Sequence, residues 1–323
     1  MSVETQDLAI SFTTLGGLMI VGLAAQWLGQ KSSIPRVSLL IGMGILAGPS
    51  GADLVSGVAQ QVFPWISHIT LALVGFLLGG KLHLRFLRQQ GRAILSSSLW
   101  ITLVTWLCVT LVCGLLTGDW PLALLFGAVA TATDPAATQD VINESGKENL
   151  FTDRLLGIVS LDDVWGLLIF SLSVSLAGFM LSTGPGAALI GLWELFGALL
   201  LGVVLGLPVA WLTARSSDGE PLLIEALGAV LLCVGLAETL AVSYLLSCIV
   251  MGAVVTNAAR HHNRPFHAIK QIEWPFMMLF FILAGASLDI GAVVQLGALG
   301  VAYIVARILG RLLGGIFCSR RQH

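Results

Sequence analysis

Residues 130–140 read ATATDPAATQD. Proline lacks a backbone N–H and pushes the residue before it out of helical geometry, so Pro135 interrupts a helix at Asp134. The run leading into it, PLALLFGAVATA (121–132), carries no charge. A helix broken at Thr-Asp-Pro leaves carbonyls and N–H groups without intrahelical partners. In lipid, such backbone is tolerated only where it is buried in protein or lines a wet cavity. Whether lipid surrounds this break therefore decides how the chain is read.

Composition answers for lipid. Of 323 residues, 56% are hydrophobic and 11% charged, against about 25% charged in soluble domains. Mean hydropathy is +0.93. Apolar runs recur at the length of about 20 residues that a helix needs to cross about 30 Å of hydrocarbon. A net charge of -2 with scattered basic residues gives no nucleic-acid footprint. Cys108, Cys113, Cys233, Cys248 and Cys318 lie in or beside apolar segments with no CxxC, and read as small apolar fillers. The opening MSVETQD has Glu4 and Asp7 and no basic residue, unlike a signal peptide, so the stretch after it reads as a retained first helix.

The expected fold class is an all-α polytopic membrane protein with about 11 transmembrane helices. The segments fall at about 7–28, 34–49, 62–80, 93–116, 121–143, 155–180, 187–213, 221–238, 241–258, 274–291 and 295–317. Alternating these segments sorts the charges. Apart from Arg307 and Arg311 inside the last segment, every Lys and Arg falls on one side, while Asp53, Asp119, Glu238 and Asp289 fall on the other. Basic loops stay cytoplasmic, so the expectation is a multi-pass protein of the cell (inner) membrane, N-terminus outside and C-terminus in the cytoplasm. Four glycine pairs at i,i+4 (Gly44 and Gly48, Gly75 and Gly79, Gly202 and Gly206, Gly310 and Gly314) suit close helix contact. Packing within one subunit is the default for each; packing between subunits is the minority reading, best for the second helix.

Within IVSLDDVWGL (158–167), Asp162 and Asp163 stand side by side in an apolar helix. Each ionised carboxylate near a bilayer centre costs about 2.5–3.5 kcal/mol on insertion scales. Asp162 lies about 10 Å into its helix from one side and Arg307 about 18 Å into the last helix from the other, at 1.5 Å per residue. A carboxylate and a cation at similar depth offset each other's desolvation. Successive helical residues diverge by about 100°, so the two acids aim differently. Asp163 is expected to face the ion path and Asp162 to take a cation, with Arg307 as structural charge partner; the reverse assignment stays open. Arg311, one turn nearer the cytoplasm, is expected to reach the interface. With Asp134, Thr131 and Thr133 from the broken helix, these acids form an oxygen-rich set that suits a hard cation. A carboxylate that holds a proton or a cation, but not both, exchanges one for the other. Glu194 and Glu225 read as interfacial, His68 as incidental, and the loop with His261, His262 and His267 as a solvated basic loop that a pH sensor could also use.

Four stretches carry a resemblance to the monovalent cation:proton antiporter superfamily, the sodium/proton exchangers. They are IPRVSLLIGMGILAGPSG (34–51), FLLGGKLHLRFLRQQGR (76–92), ATATDPAATQDVINESGKENLFTDRLLGIVSLDDVWGLLIF (130–170), and PFMMLFFILAGASLDIGAV (275–293) leading into ARILGRLLGG (306–315). The third is the specific one: a Thr-Asp-Pro break, a short charged loop, then paired acids. The resemblance implies an inverted-repeat fold with a Pro-broken helix. It also implies a core ion-transport part (93–180 and 295–317) moving against a scaffold and dimerisation part (1–92 and 221–291), with 187–213 as linking helix. It makes Asp163 the ion carrier, matches Thr133 and Asp134 to the family's broken-helix residues, and implies a homodimer. The family's mid-membrane lysine falls on Arg307, which cannot release a proton. The pair of acids points to electrogenic exchange and the Thr-Asp-Pro wording to the electroneutral branch, so stoichiometry stays open. Against the family pattern the second repeat stops about two helices early, which makes the fold C-terminally incomplete.

The expected function is secondary antiport of a monovalent cation (Na⁺, with Li⁺ or K⁺ as alternatives) against H⁺ by alternating access in the lipid bilayer, with no cofactor, no enzymatic activity and no nucleic-acid partner. Three rivals remain. One is a nonconducting truncated remnant or regulatory membrane subunit. Another is an intramembrane aspartyl protease, disfavoured because adjacent acids on one helix diverge and no GxGD occurs. The third is a sodium-coupled symporter, for which no roomy organic-substrate site is visible.

Overall fold

The structure, a computed structural model, describes residues 3–31, 35–82, 84–133, 135–146, 149–181, 186–215, 222–258 and 263–321. Within those helices some side chains, Asp163 and Pro135 among them, lie outside the description. The described residues form thirteen α-helices. In order they are α1 (Val3–Lys31), α2 (Arg36–Ala47), α3 (Ser56–Lys81), α4 (Leu84–Thr117), α5 (Trp120–Thr131), α6 (Pro135–Ser145), α7 (Leu150–Met180), α8 (Gly186–Arg215), α9 (Leu222–Leu240), α10 (Tyr244–Ala258), α11 (Asn263–Ala286), α12 (Ile290–Gln295) and α13 (Gly297–Arg321). The segment expected over 121–143 is two helices, α5 and α6, parted at the Thr-Asp-Pro.

Among the described residues, six helices are apolar enough over 18 or more residues to cross a bilayer: Gln61–Gly80, Ala93–Thr117, Trp193–Thr213, Leu223–Leu240, Arg264–Ala286 and Gly297–Ile316. Five more stretches are apolar but shorter: Phe12–Ala25, Arg36–Ala47, Trp120–Thr131, Leu168–Met180 and Tyr244–Ala258. By length and composition, then, six of the eleven expected crossings qualify. The break after Thr131 leaves α5 at 12 residues.

The termini of the helices that flank the break are set locally. Asp119 caps α5, its side chain accepting from Leu122 N at 3.0 Å. α7 opens on a capping box: Asn149 Oδ1 accepts from Phe151 N and Thr152 N, and Thr152 Oγ1 accepts from Asn149 N. Such caps satisfy N–H groups that the first turn leaves without partners.

Two sets of helices pack among themselves. α4 lies against α13, α5 and α7, with Val109, Cys113, Ala123, Ala130 and Ala306 buried between α4, α5 and α13. The other set comprises α1, α2, α3, α8, α9, α10 and α11, centred on α3, where Phe76, Leu73, Met251 and Ile269 are fully buried. The sets meet where α7 packs on α8 and where α6 touches α2 and α3. At the latter junction Arg36 Nε lies 3.8 Å from Glu144 Oε1.

All four glycine pairs are spent inside the chain. A Cβ on Gly44 would sit 2.0 Å from Ile282 O, and one on Gly48 2.5 Å from Ala286 O, so α2 lies backbone to backbone on α11. Gly75 and Gly79 meet α10 at Leu245 O and Ile249 O, Gly202 and Gly206 meet α10 near Val250 and Val254, and Gly310 and Gly314 meet α4 at the Cα atoms of Thr105 and Ile101. The second-helix pair is therefore occupied by α11, in line with the default of packing within one subunit and against the minority reading of a contact between subunits. Cys108, Cys113, Cys233 and Cys248 are free thiols.

Candidate functional site

α5 ends at Thr131, Ala132 turns extended at φ -65 and ψ 140, and α6 begins at Pro135. The end of a helix leaves carbonyls without partners and carries the negative end of the helix dipole, so cations are favoured there. α13 supplies two. Arg307 Nη2 donates to Ala132 O at 2.7 Å, and Arg311 Nη2 donates to Thr131 O at 2.7 Å. The two arginines are four residues apart on one helical face, and together they terminate the broken helix.

Arg311 does more than close the helix end. Its Nη2 also donates to Thr133 Oγ1 and lies 3.3 Å from Asp162 Oδ2. Thr133 in turn donates to the same Asp162 Oδ2 at 2.8 Å. The Asp162 side chain is 0% exposed, against 28% for Arg311. A buried carboxylate persists only when paired and hydrogen-bonded. Here α7 provides the acid, α13 the cation and the break between α5 and α6 the hydroxyl.

The charge partner expected from depth alone is thus corrected: Arg311, not Arg307, pairs with Asp162. The reason is the height of α13. Gly310 and Gly314 fit so tightly against α4 that α13 is fixed with the Arg311 turn level with Asp162, and Arg307 is left to Ala132. Counting residues from a helix end could not see that registration. Thr131 is fully buried at the site, its hydroxyl donating to Ala128 O at 2.7 Å while its carbonyl receives Arg311. Asp134 and the side chains of Asp163 and Pro135 lie outside the described residues, as do His261 and His262.

α7 is keyed to α4 by two tryptophan bonds. Trp165 Nε1 donates to Ser98 Oγ at 3.0 Å, and Trp106 Nε1 donates to Ser173 Oγ at 3.1 Å. Ser98, Thr102 and Thr105 are all buried on α4. Nothing in the sequence marks these hydroxyls off from other Ser and Thr in apolar helices. Away from the site, His68 bridges Pro64 O at 2.6 Å and Glu238 Oε1 at 3.1 Å and stacks on Tyr244, so it is engaged rather than idle.

A helical membrane chain with a helix broken beside a buried acid–arginine pair defines a class, the ion-coupled transporters with discontinuous helices. The sequence matches the family described as "Sodium/hydrogen exchanger, transmembrane" over residues 12–323. The chain belongs to the sodium/hydrogen exchanger family, a group of membrane transporters within the cation:proton antiporters. It is 22% identical over 309 residues to the ammonium/H(+) antiporter subunit AmhT of Alkalihalophilus pseudofirmus, covering 94% of this chain and 77% of that one. It is 28% identical over 204 residues to Na(+)/H(+) antiporter 1 of Methanocaldococcus jannaschii, covering 58% of this chain and 46% of that one. The fold matches a structure of the sodium proton antiporter MjNhaP1 from M. jannaschii at pH 8, with TM-score 0.70 and 20% identity, covering 96% of this chain and 79% of that one.

Proposed function

We propose that the chain is a secondary antiporter that exchanges a monovalent cation for protons across the cell membrane by alternating access. Asp163 is the carrier carboxylate, with Asp134, Thr133 and Thr131 as neighbouring oxygen donors. The observation that carries the reading is the buried Asp162, held by Arg311 and Thr133 beside the helix break in a member of an exchanger family. Arginine stays protonated in proteins, so Arg311 is a fixed countercharge for Asp162. That leaves the neighbouring Asp163 as the group free to take either a proton or a metal ion. Two adjacent acids resist ionising together, which sharpens the competition between the two cargoes.

The helices α4, α5, α6, α7 and α13 form the moving core in this reading. The set around α3 and α10 forms the scaffold, α8 links them, and two copies pair through the scaffold. The N-terminus faces outside and the basic loops face the cytoplasm. The cargo is Na⁺, Li⁺ or K⁺; since one relative is named for ammonium and another for sodium, the assay includes NH₄⁺. The full chain is reconstituted in vesicles with a trapped pH dye, cations are added outside, and wild type is compared with Asp163→Asn. Cation-driven pH change that vanishes in Asp163→Asn is the expected result. Equal responses from the two proteins refute the carrier assignment, and inert wild type favours the nonconducting or regulatory reading.

A further inference from the structure

α7 is tied to α4 at two heights by bonds that run in opposite directions. Trp165 of α7 donates its indole N–H to Ser98 Oγ at 3.0 Å, and two turns on Trp106 of α4 donates to Ser173 Oγ at 3.1 Å. Both pairs stand 67 residues apart in sequence, so the helices run parallel in one register. Ser98 and Ser173 are 0% exposed. An indole nitrogen can only donate, and a buried N–H that loses its acceptor is left without a partner at a cost. The Trp106 ring is wedged from a third side: a Cβ on Gly127 of α5 would lie 3.1 Å from Trp106 Cδ1.

These contacts fix how α7 is rolled about its axis. With Asp162 as the origin and about 100° per residue, Trp165 lies about 60° to one side and Ser173 about 20° to the other, so α4 covers that arc. Gly166, about 40° round in the second direction, faces α5, where a Cβ would lie 3.4 Å from Thr131 Oγ1. Position 163 falls about 100° round in the same direction, on the side of the broken helix and away from α4. The ion pair of Asp162 with Arg311 holds α7 at one point, and a rod held at one point still rolls. The two tryptophan bonds remove that freedom. A roll of about 20° would carry an atom about 5 Å from the helix axis through about 2 Å, enough to part Asp162 from Arg311 and Thr133.

We propose that Trp165 and Ser98 are a positioning pair of the ion site. Their bond, with that of Trp106 to Ser173 as second anchor, sets the roll of α7 that brings Asp162 onto Arg311 and Thr133 and turns position 163 toward the break. The pair touches no cargo and acts through the two acids. The proposal rests on the antiporter reading above for its kinetic consequence, and on the contacts alone for the roll.

The test uses the full chain as wild type, Trp165→Phe, Ser98→Ala, the double variant and Asp163→Asn. Phenylalanine keeps an aromatic ring and drops the N–H; alanine drops the acceptor. The roll is read by infrared spectroscopy of purified protein, on the carboxylate band that Asp162→Asn removes. That band is expected to move by the same amount in each single variant and no further in the double, because the second change removes a bond already gone. In vesicles each single variant is expected to raise the cation concentration for half-maximal rate about tenfold, the scale of one hydrogen bond. The maximal rate should change far less, and the double variant should match the singles. An unmoved band overturns the proposal whether or not the chain transports. So do effects that multiply in the double variant, since those mark two separate packing losses. So does Ser98→Ala matching wild type in both readings while Trp165→Phe does not, since the ring would then act without its bond. If Trp165→Phe does not fold, Ser98→Ala carries both readings by itself. If wild type and Asp163→Asn are equally inert while the band moves as expected, the antiporter reading fails and the positioning role stands.

Discussion

Arg311 Nη2 lies 3.3 Å from Asp162 Oδ2 and 2.7 Å from Thr131 O, so one guanidinium joins α13 both to the acid of α7 and to the end of α5. The pairing fixes a ranking between two arginines that look alike in sequence. Removing one partner of a buried ion pair costs about 3–5 kcal/mol, because the other is left charged and unpaired. Among the described residues Arg307 makes one hydrogen bond, to a carbonyl, worth about 1.5–3 kcal/mol for a charged donor. Arg311→Gln should therefore lower the thermal unfolding midpoint in detergent more than Arg307→Gln does. Equal shifts would mean that the pairing is wrong.

Thr133 tests the hydroxyl arm of the same cluster. It donates to Asp162 Oδ2 and accepts from Arg311, so Thr133→Val removes a donor from a buried carboxylate and an acceptor from the arginine. A cost of about 1–3 kcal/mol is expected, with Thr133→Ser close to wild type. Chemical-denaturant or thermal curves of the two variants check it.

The contact between α2 and α11 predicts opposite behaviour for two glycines on one helix. A Cβ on Gly44 would lie 2.0 Å from Ile282 O, whereas around Gly42 nothing lies within 4 Å. Backbone cannot yield as a side chain can, and overpacking costs about 1–3 kcal/mol. Gly44→Ala should destabilise by at least that much, while Gly42→Ala should be neutral or gain a few tenths from lower chain entropy. Melting temperatures of the two single variants decide between this arrangement and one in which the glycine pair faces another subunit.

The start of α7 gives a local prediction. Asn149 caps that helix through two backbone N–H groups, and replacing such a cap with alanine costs about 0.5–2 kcal/mol. Asn149→Ala should lower stability by about 1 kcal/mol and leave the shape of the cation dependence unchanged. By contrast, Glu144→Gln, at the 3.8 Å pair with Arg36 whose side chains are 24% and 21% exposed, should cost under about 1 kcal/mol, since the long contact and partial solvation weaken the pair.

Much of this was legible in the residues. Pro135 announced the break because proline chemistry is local, and the structure parts α5 from α6 there. Asp162 stood out because an acid in an apolar helix needs a partner, and it has one. Helices were recognisable from apolar length, and among the described residues six reach a full crossing by length and composition.

What the linear chain determined, then, is everything governed by neighbours along the backbone: helices, caps, the interruption and the presence of acids and arginines in apolar surroundings. The tertiary structure decided which arginine meets Asp162 and that the second helix spends its glycines on α11. These are matters of how far one helix slides along another. A slide of one turn, about 5.4 Å, exchanges Arg307 for Arg311 without altering composition or periodicity. The contacts of Gly310 and Gly314 with α4 set that slide, and they exist only once the helices are packed.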